Sequence, residues 1–178
     1  QSSQCLTVTM TFKLTAKQEE LRQTLRGPQM HTLAYGGSRS GKTFGFVHAI
    51  VKRASLAKDS RHLLCRLLHS DARTKIMMDT FRAVMRLGYP QLSYELNKAD
   101  QFVTLPNGSE LWFAGLNDEE RTDKILGSEY ATIYMNECSQ IPFETVEKVR
   151  SRLAQSAMKE NGTPLALRAY YDLNPETA

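Results

Sequence analysis

Eight consecutive residues, Gly36 to Thr43, read GGSRSGKT and fit the pattern G-x-x-x-x-G-K-[ST]. An apolar run, Met30 to Tyr35, precedes them, and a helix-compatible run, Thr43 to Leu56, follows. Strand, loop and helix in this order are the context that the pattern requires. Glycines let successive backbone N–H groups point inward at a phosphate, and the helix N-terminus adds its positive dipole end. The segment therefore predicts a phosphate-binding loop.

The two residues at the end of this loop have separate predicted roles. Lys42 is expected to reach the β- and γ-phosphates of a nucleoside triphosphate, and the Thr43 hydroxyl to bind Mg²⁺. The residues before them would surround the phosphates with backbone N–H groups. This cradle comprises Gly37, Ser38, Arg39, Ser40 and Gly41.

A second candidate site follows the apolar run Ala131 to Met135, where the sequence continues with Asn136 and Glu137. Open α/β sheets bind ligands at the carboxyl ends of their strands. In phosphate-loop enzymes the first residue of such a pair, commonly Asp, holds Mg²⁺, and a following Glu can activate water. Asn136 offers a carbonyl oxygen without charge, so we expect weak or water-mediated metal contact and assign Glu137 as the catalytic base. The alternative is a capped strand end, with Glu137 paired to a basic side chain.

Strands alternating with helices must position these residues, and they favour an α/β fold with a parallel sheet covered on both faces. The apolar periodicity predicts helices over 15–26, 43–56, 71–87 and 142–154, with a short one over 118–124. Strands are predicted over 30–35, 62–67, 102–105, 110–114, 131–135 and 165–173, and 92–96 is a candidate to pair beside the middle ones. Pro106-Asn107-Gly108 is a hairpin signal between two of these strands.

Composition is that of an ordinary globular domain. The chain has 178 residues, of which 41% are hydrophobic and 24% charged, with a net charge of +4. This charge permits contact with nucleic acid without requiring it. No apolar run approaches the roughly 18 residues of a membrane span, and the N-terminus lacks the pattern of a signal peptide. The three cysteines are not spaced as zinc ligands are.

Taken together, these motifs resemble the ATPase domain of the large terminase subunit, the motor that packages DNA into the heads of tailed phages. The resemblance runs from about Phe12 to Pro175, and it depends on the order of its pieces more than on the phosphate loop alone. Besides that loop, the pieces are Leu14-Thr15-Ala16-Lys17-Gln18, Leu64-Cys65-Arg66, Leu105-Pro106-Asn107-Gly108-Ser109-Glu110, Gly115-Leu116, Gly127-Ser128-Glu129-Tyr130, Asn136-Glu137 and Asp172-Leu173-Asn174-Pro175.

The resemblance implies a P-loop NTPase of the ASCE type: a three-layer sandwich with a central, mostly parallel sheet and an inserted β-hairpin. The strand ending at Asn136 would not lie directly beside the loop strand. We expect one ATPase domain over residues 1–178, with 1–14 as an N-terminal extension. Family members usually continue into a nuclease domain; the chain shows none, so nuclease activity is not supported.

The function implied by the resemblance is ATP hydrolysis that drives double-stranded viral DNA into a procapsid. ATP and Mg²⁺ would be the cofactors, and DNA would be held through its backbone phosphates. The expected partners are other copies of the chain in a ring, the terminase small subunit and the portal, without a membrane. The expected location is the host cell cytoplasm, outside the mature virion.

Three further residues acquire roles by resemblance, and each has an alternative. Gln18 matches the adenine-reading glutamine of the family, yet Thr15-x-x-Gln18 also fits a helix capping box. Arg39 would neutralise phosphate charge or else face solvent. Asn174 matches the coupling motif that senses the γ-phosphate, and its alternative is a turn residue before Pro175.

An arginine finger from a neighbouring subunit is also expected in this family. Arg121 is the first candidate and Lys124 the second, and the alternative for both is a charged surface turn. Arg66, which follows a buried strand, matches a family arginine whose role is an internal ion pair or a contact in the site. The sequence leaves these two roles open.

Two other functions remain as alternatives to the packaging motor. One is another ASCE-type DNA translocase or helicase. The other is a nucleotide-binding assembly module without turnover, which the replacement of the usual Asp by Asn136 motivates.

Overall fold

A computed structural model describes residues 12–37 and 40–175 of the chain. The helices are α1 Ala16–Leu25, α2 Lys42–Leu56, α3 His69–Asp71, α4 Arg82–Gly88, α5 Glu119–Leu126 and α6 Phe143–Arg150. A π-helical segment, Ala72–Phe81, joins α3 to α4 without a break. The strands are β1 His31–Tyr35, β2 Arg61–Arg66, β3 Glu95–Asn97, β4 Phe102–Thr104, β5 Glu110–Gly115, β6 Thr132–Met135 and β7 Arg168–Leu173.

The strands form a single seven-stranded sheet in the order β1-β7-β6-β2-β5-β4-β3. Strands β1, β7, β6, β2 and β5 pair in parallel, and β4 and β3 add antiparallel at one edge. The predicted α/β fold with a mostly parallel sheet and a hairpin is confirmed. Strand β7 separates β1 from β6, as expected for the ASCE type, so the carboxyl ends of these three strands meet at one edge.

Two apolar cores lie on opposite faces of the sheet. One core packs α1, α2, the π-helical segment and α4 over the sheet through residues such as Phe46, Ile76 and Tyr134. The other packs α5 and α6 over the opposite face through Ile125, Val149 and their neighbours. Because both faces are covered, the central strands are buried along their length, and the strand ends become the place where polar side chains can collect.

The predicted capping box located the start of α1 correctly, and a side-chain cap also begins α5. Thr15 caps α1 in a reciprocal capping box with Gln18, and Asp118 caps α5 by accepting from Arg121 N–H. Three predicted boundaries were wrong, one of them in the last strand, which begins at Arg168 rather than at residue 165. The helix expected to start after Ser70 already begins at His69, with Leu68 at the N-cap position. The last helix ends at Arg150 rather than at residue 154.

A buried polar network lies at the opposite end of β2 from the phosphate loop. His62 is fully buried and exchanges hydrogen bonds with Ser60 at 2.8 Å and Thr132 at 2.7 Å. Burial, with the nearby Arg53 charge as a second cause, lowers the pKa of His62 to about 3. The imidazole is therefore neutral at pH 7 and serves to join β2 to β6 rather than to transfer protons. Within the described part of the chain, every helix is too short or too polar to cross a lipid bilayer.

Candidate functional site

The phosphate loop begins where β1 ends and turns into α2 at Gly41. Gly41 has φ of 77°, in the left-handed region that glycine adopts without steric cost. Lys42 Nζ donates to the carbonyl oxygens of Gly36 and Gly37 at 2.6 and 2.9 Å, and to Ser40 Oγ at 3.1 Å. The lysine charge thus lies inside the curve of the loop, at the start of a 15-residue helix whose dipole favours an anion. The predicted contacts of Ser38 and Arg39 fall outside the described residues.

Glu137 lies across a cavity from the loop. This cavity, about 300 Å³ in volume, is lined by Lys42, Thr43, Asn136, Glu137 and Asn174 among others. Glu137 has φ of 50°, which is uncommon for a residue other than glycine and is maintained by the bonds around it. Its backbone N–H donates to Asp172 Oδ1 at 2.7 Å. The structure therefore brings the predicted lysine, threonine, base and coupling residue to one place.

Asn174 connects the loop to the base. Its Oδ1 accepts from Lys42 Nζ at 3.2 Å, and its Nδ2 donates to Glu137 Oε1, also at 3.2 Å. A side chain that touches both groups is well placed to change its hydrogen bonds when a phosphate arrives between them. A turn-forming role alone would not require either contact.

Arg66 has both of the roles that the sequence left open. It is 7% exposed at the end of β2, and its Nη2 pairs with Glu137 Oε2 at 2.5 Å. Its Nη1 donates to Asn136 Oδ1 at 3.0 Å, and its Nε lies 3.5 Å from Asp71 Oδ2. Arg66 is therefore an internal ion-pair partner and a contact within the site, and it holds one oxygen of the predicted base.

Sequence reasoning assigned no role to Asp172, which the structure places at the centre of the site. This residue is 1% exposed on β7 and accepts from Tyr134 OH, from Asn136 Nδ2 and from Glu137 N–H. Alternation along a strand puts residues 172 and 174 on the same face. That spacing was the signal that could have linked Asp172 to Asn174.

Gln18 forms the capping box and also touches the loop. Its Oε1 accepts from Thr15 N–H at 2.9 Å. Its Nε2 lies so close to Gly41 that a Cβ there would be 2.8 Å away. A second cavity, of about 370 Å³, lies between α1 and β1 and shares Ser40, Gly41 and Lys42 with the first. Capping and a place beside the nucleotide are thus compatible, and adenine reading by Gln18 stays a prediction.

The two finger candidates lie elsewhere on the surface. Arg121 is on α5, where its side chain is 53% exposed, lies 3.7 Å from Asp118 and contacts His69. Lys124 pairs with Asp100. Neither residue lines the cavity that holds Lys42 and Glu137. Any catalytic role for them therefore requires the site of a neighbouring copy.

The donor groups around Thr43 fit a hydrated Mg²⁺ ion better than a tightly caged metal. The described residues contain no cluster of three or more His, Cys, Asp or Glu side chains that could hold a metal. Mg²⁺ commonly keeps several water ligands and is bound through one or two protein oxygens together with phosphates. Thr43, Glu137 and Asp172 line one cavity and would supply such a partial set of ligands.

Residues 33–173 match the sequence model of the terminase large subunit, T4likevirus-type, N-terminal family. The chain belongs to this terminase family. The match covers most of β1, the whole loop from Gly36 to Thr43, the Asn136-Glu137 pair and β7. It confirms the resemblance drawn from the motifs and favours a terminase over other ASCE-type translocases.

Solved terminase structures share the fold. The large terminase of a thermophilic bacteriophage is 16% identical, with a TM-score of 0.75 over 92% of this chain and 39% of that chain. The large terminase ATPase domain of Thermus phage P74-26 is 15% identical, with a TM-score of 0.61 over 93% of this chain and 66% of that chain. The large terminase of bacteriophage HK97 is 11% identical, with a TM-score of 0.64 over 93% of this chain and 34% of that chain. The chain thus spans about 39% of the length of the first of these proteins, and no curated protein matches it in sequence.

Proposed function

We propose that this chain binds ATP with Mg²⁺ and hydrolyses it, as the ATPase domain of a DNA-packaging motor. The observation that carries the proposal is the cavity in which Lys42, Thr43 and Glu137 face one another. A phosphate-binding cation, a metal-binding hydroxyl and a carboxylate base are the groups that phosphoryl transfer to water requires. The large terminase of the thermophilic bacteriophage, which has the same fold, has been solved with ADP and with ATP-gamma-S, and this supports nucleotide binding here.

Each side chain has a defined task in the proposed reaction. Lys42 would move from the loop carbonyls to the phosphate oxygens, because a charged oxygen attracts its ammonium group more strongly than a neutral carbonyl does. Thr43 would hold Mg²⁺, which when bound neutralises charge that develops on the phosphates. Glu137 would orient a water molecule in line with the γ-phosphate and accept its proton. Asn174, which already contacts both Lys42 and Glu137, would respond to loss of that phosphate.

Coupling to DNA is the further part of the proposal. Family membership and the shared fold support a motor that acts on double-stranded DNA from a ring of copies, together with a small subunit and a portal inside the host cell. Contacts with DNA would be made to backbone phosphates without base reading. The net charge of +4 is compatible with such contacts.

Phosphate release measured with and without double-stranded DNA tests this function. We expect slow release by the chain alone and faster release with DNA, independent of its sequence. The stimulation should fall steeply as salt rises, because contacts to phosphates displace condensed counterions. ATP binding without release under either condition would instead indicate a nucleotide-binding assembly module. Two observations favour this second function. Asn136 replaces the Asp that is usual at its position, and Glu137 already forms an ion pair with Arg66.

Arg121→Ala should lower the rate per subunit at high protein concentration by about 10³-fold, if Arg121 enters a neighbour's site as a finger. The rate of the unaltered chain should rise with protein concentration for the same reason. Mixing Arg121→Ala chains with Glu137→Gln chains should restore activity, because the second chain still donates its arginine. The measurement is phosphate release over a range of concentrations and mixing ratios.

Arg150→Ala is the matched control for this experiment. Arg150 is a similarly exposed helix residue paired with Glu147 three positions earlier, as Arg121 is with Asp118. It should leave the rate unchanged. Rates independent of concentration, with no recovery on mixing, would show that each chain works alone and that Arg121 is a surface charge.

A further inference from the structure

Asn136 is oriented so that its oxygen points away from the expected metal. Its Oδ1 accepts from Arg66 Nη1 at 3.0 Å. Its Nδ2 donates to Asp172 Oδ1 and Oδ2 at 3.0 and 2.9 Å, and lies 3.4 Å from Thr43 Oγ1. An amide N–H group cannot coordinate a cation or accept a hydrogen bond from water bound to one. The side of Asn136 that faces Thr43 is therefore unsuited to a metal.

Asp172 presents a carboxylate beside that amide. It lines the same cavity as Lys42 and Thr43, and its described hydrogen-bond partners are neutral: a tyrosine hydroxyl, an amide and a backbone N–H. The carboxyl group of Asp172 is thus buried and surrounded by uncharged hydrogen-bond donors, and a cation nearby would stabilise its negative charge further.

We propose that Asp172, on β7, supplies the carboxylate near the metal. In phosphate-loop sites this carboxylate commonly belongs to the residue just before the catalytic base, and here that residue is Asn136, after β6. Asp172 would accept hydrogen bonds from the water ligands of Mg²⁺ held on Thr43. This inference rests on the proposed function, since it assigns a group to the metal of the same site. Asn136 is then a positioning residue, which links Arg66 to Asp172.

The pairing of amide with carboxylate also has an electrostatic reason. An Asp at position 136 would put two carboxylates within hydrogen-bonding distance of each other, where only one ionises readily. Asn136 avoids that repulsion and donates to Asp172 instead. Of the two facing positions, 136 after β6 thus has the amide and 172 on β7 has the carboxylate.

Nucleotide affinity with and without Mg²⁺ tests the assignment. A fluorescent ADP analogue is titrated with the full chain in EDTA and then in Mg²⁺, and the ratio of the two affinities is the readout. Asp172→Asn should leave the affinity in EDTA unchanged and lower the Mg²⁺-dependent gain about 10- to 100-fold, as loss of an outer-shell metal partner does. Asp123→Asn, an exposed change on α5, is the matched control and should keep the full gain.

The exchange variant Asn136→Asp with Asp172→Asn moves the carboxylate to β6 and should regain most of the Mg²⁺ effect. If Asp172 had only a structural role, the result would differ: Asp172→Asn would lose affinity for the ADP analogue equally in EDTA and in Mg²⁺, and its unfolding temperature would fall. That result, or an unchanged ratio in a folded Asp172→Asn protein, would overturn the proposal.

A measurement on the unaltered chain covers the case in which Asp172→Asn does not fold. Protein labelled with ¹³C at its aspartate carboxylates is loaded with Mn²⁺ and ADP, and electron–nuclear double resonance detects carbon close to the metal. We expect a coupling typical of a carboxylate that contacts a water ligand, and the absence of any aspartate coupling would contradict the inference. An unaltered chain that fails to bind nucleotide would contradict the proposed function itself. Normal Mg²⁺-dependent binding without a contribution from Asp172 would contradict this inference alone.

Discussion

Glu137→Gln should abolish ATP hydrolysis and leave ATP binding intact. The amide keeps the size of the side chain and can still accept from Arg66, but it cannot take a proton from water. Loss of a general base alone typically lowers the rate by about 10²- to 10⁴-fold. Phosphate release and nucleotide titration on the same preparation measure the two effects separately.

Glu129→Gln is the control for this experiment, since Glu129 is an exposed carboxylate that does not line the cavity. Its turnover should match that of the unaltered chain. Retention of most activity in Glu137→Gln, with loss in Glu129→Gln, would place the base elsewhere. The unfolding temperature of both variants should be measured alongside, because Glu137 is the partner of the buried Arg66 and removal of one charge of a buried pair is destabilising.

Lys42→Ala should eliminate hydrolysis and weaken ATP binding as well. The charge of Lys42 lies inside the loop, and hydrogen bonds to charged groups contribute about 1.5–3 kcal/mol each, so a loss of about 10- to 100-fold in affinity is expected. The carbonyl oxygen of Gly37 is exposed and that of Gly36 is part-buried, so water can replace the lysine at the loop and the fold should persist. Nucleotide titration and circular dichroism check these two expectations.

Lys52→Ala provides the comparison, because Lys52 is an exposed lysine on the same helix, α2, and away from the loop. It should bind and hydrolyse ATP normally. Unchanged turnover in Lys42→Ala would contradict the assignment of Gly36 to Thr43 as a phosphate-binding loop. Equal losses in both variants would indicate a general effect of charge on α2 rather than a contact with phosphate.

Local patterns were sufficient for the loop and for the start of α1. A phosphate loop is contiguous in the chain, so its glycines, lysine and threonine can be recognised without knowledge of the rest of the fold. The capping box of Thr15 and Gln18 is local in the same sense, because its partners are three residues apart. The order of the motifs likewise identified the family and, through it, the sheet type.

Contacts between strands that are distant in the chain required the tertiary structure. Asn136 and Asp172 are 36 residues apart and meet only because β7 lies beside β6. Arg66, 71 residues before Glu137, reaches it because β2 lies on the other side of β6. Strand order depends on how the helices cover the sheet, which no short window of sequence records.

The properties of the site also fall into two groups, those that follow from local sequence and those that require contacts between distant strands. The sequence by itself predicted which residues are candidates to bind phosphate and determined which carboxylate follows a buried strand, since these depend on residue type and on neighbours along the chain. Only the tertiary structure decided that the side-chain oxygen of Asn136 is already occupied, which cation holds Glu137, and where the remaining carboxylate lies. Hydrogen-bond partners and burial fix these properties, and both arise when separate strands meet at one edge of the sheet.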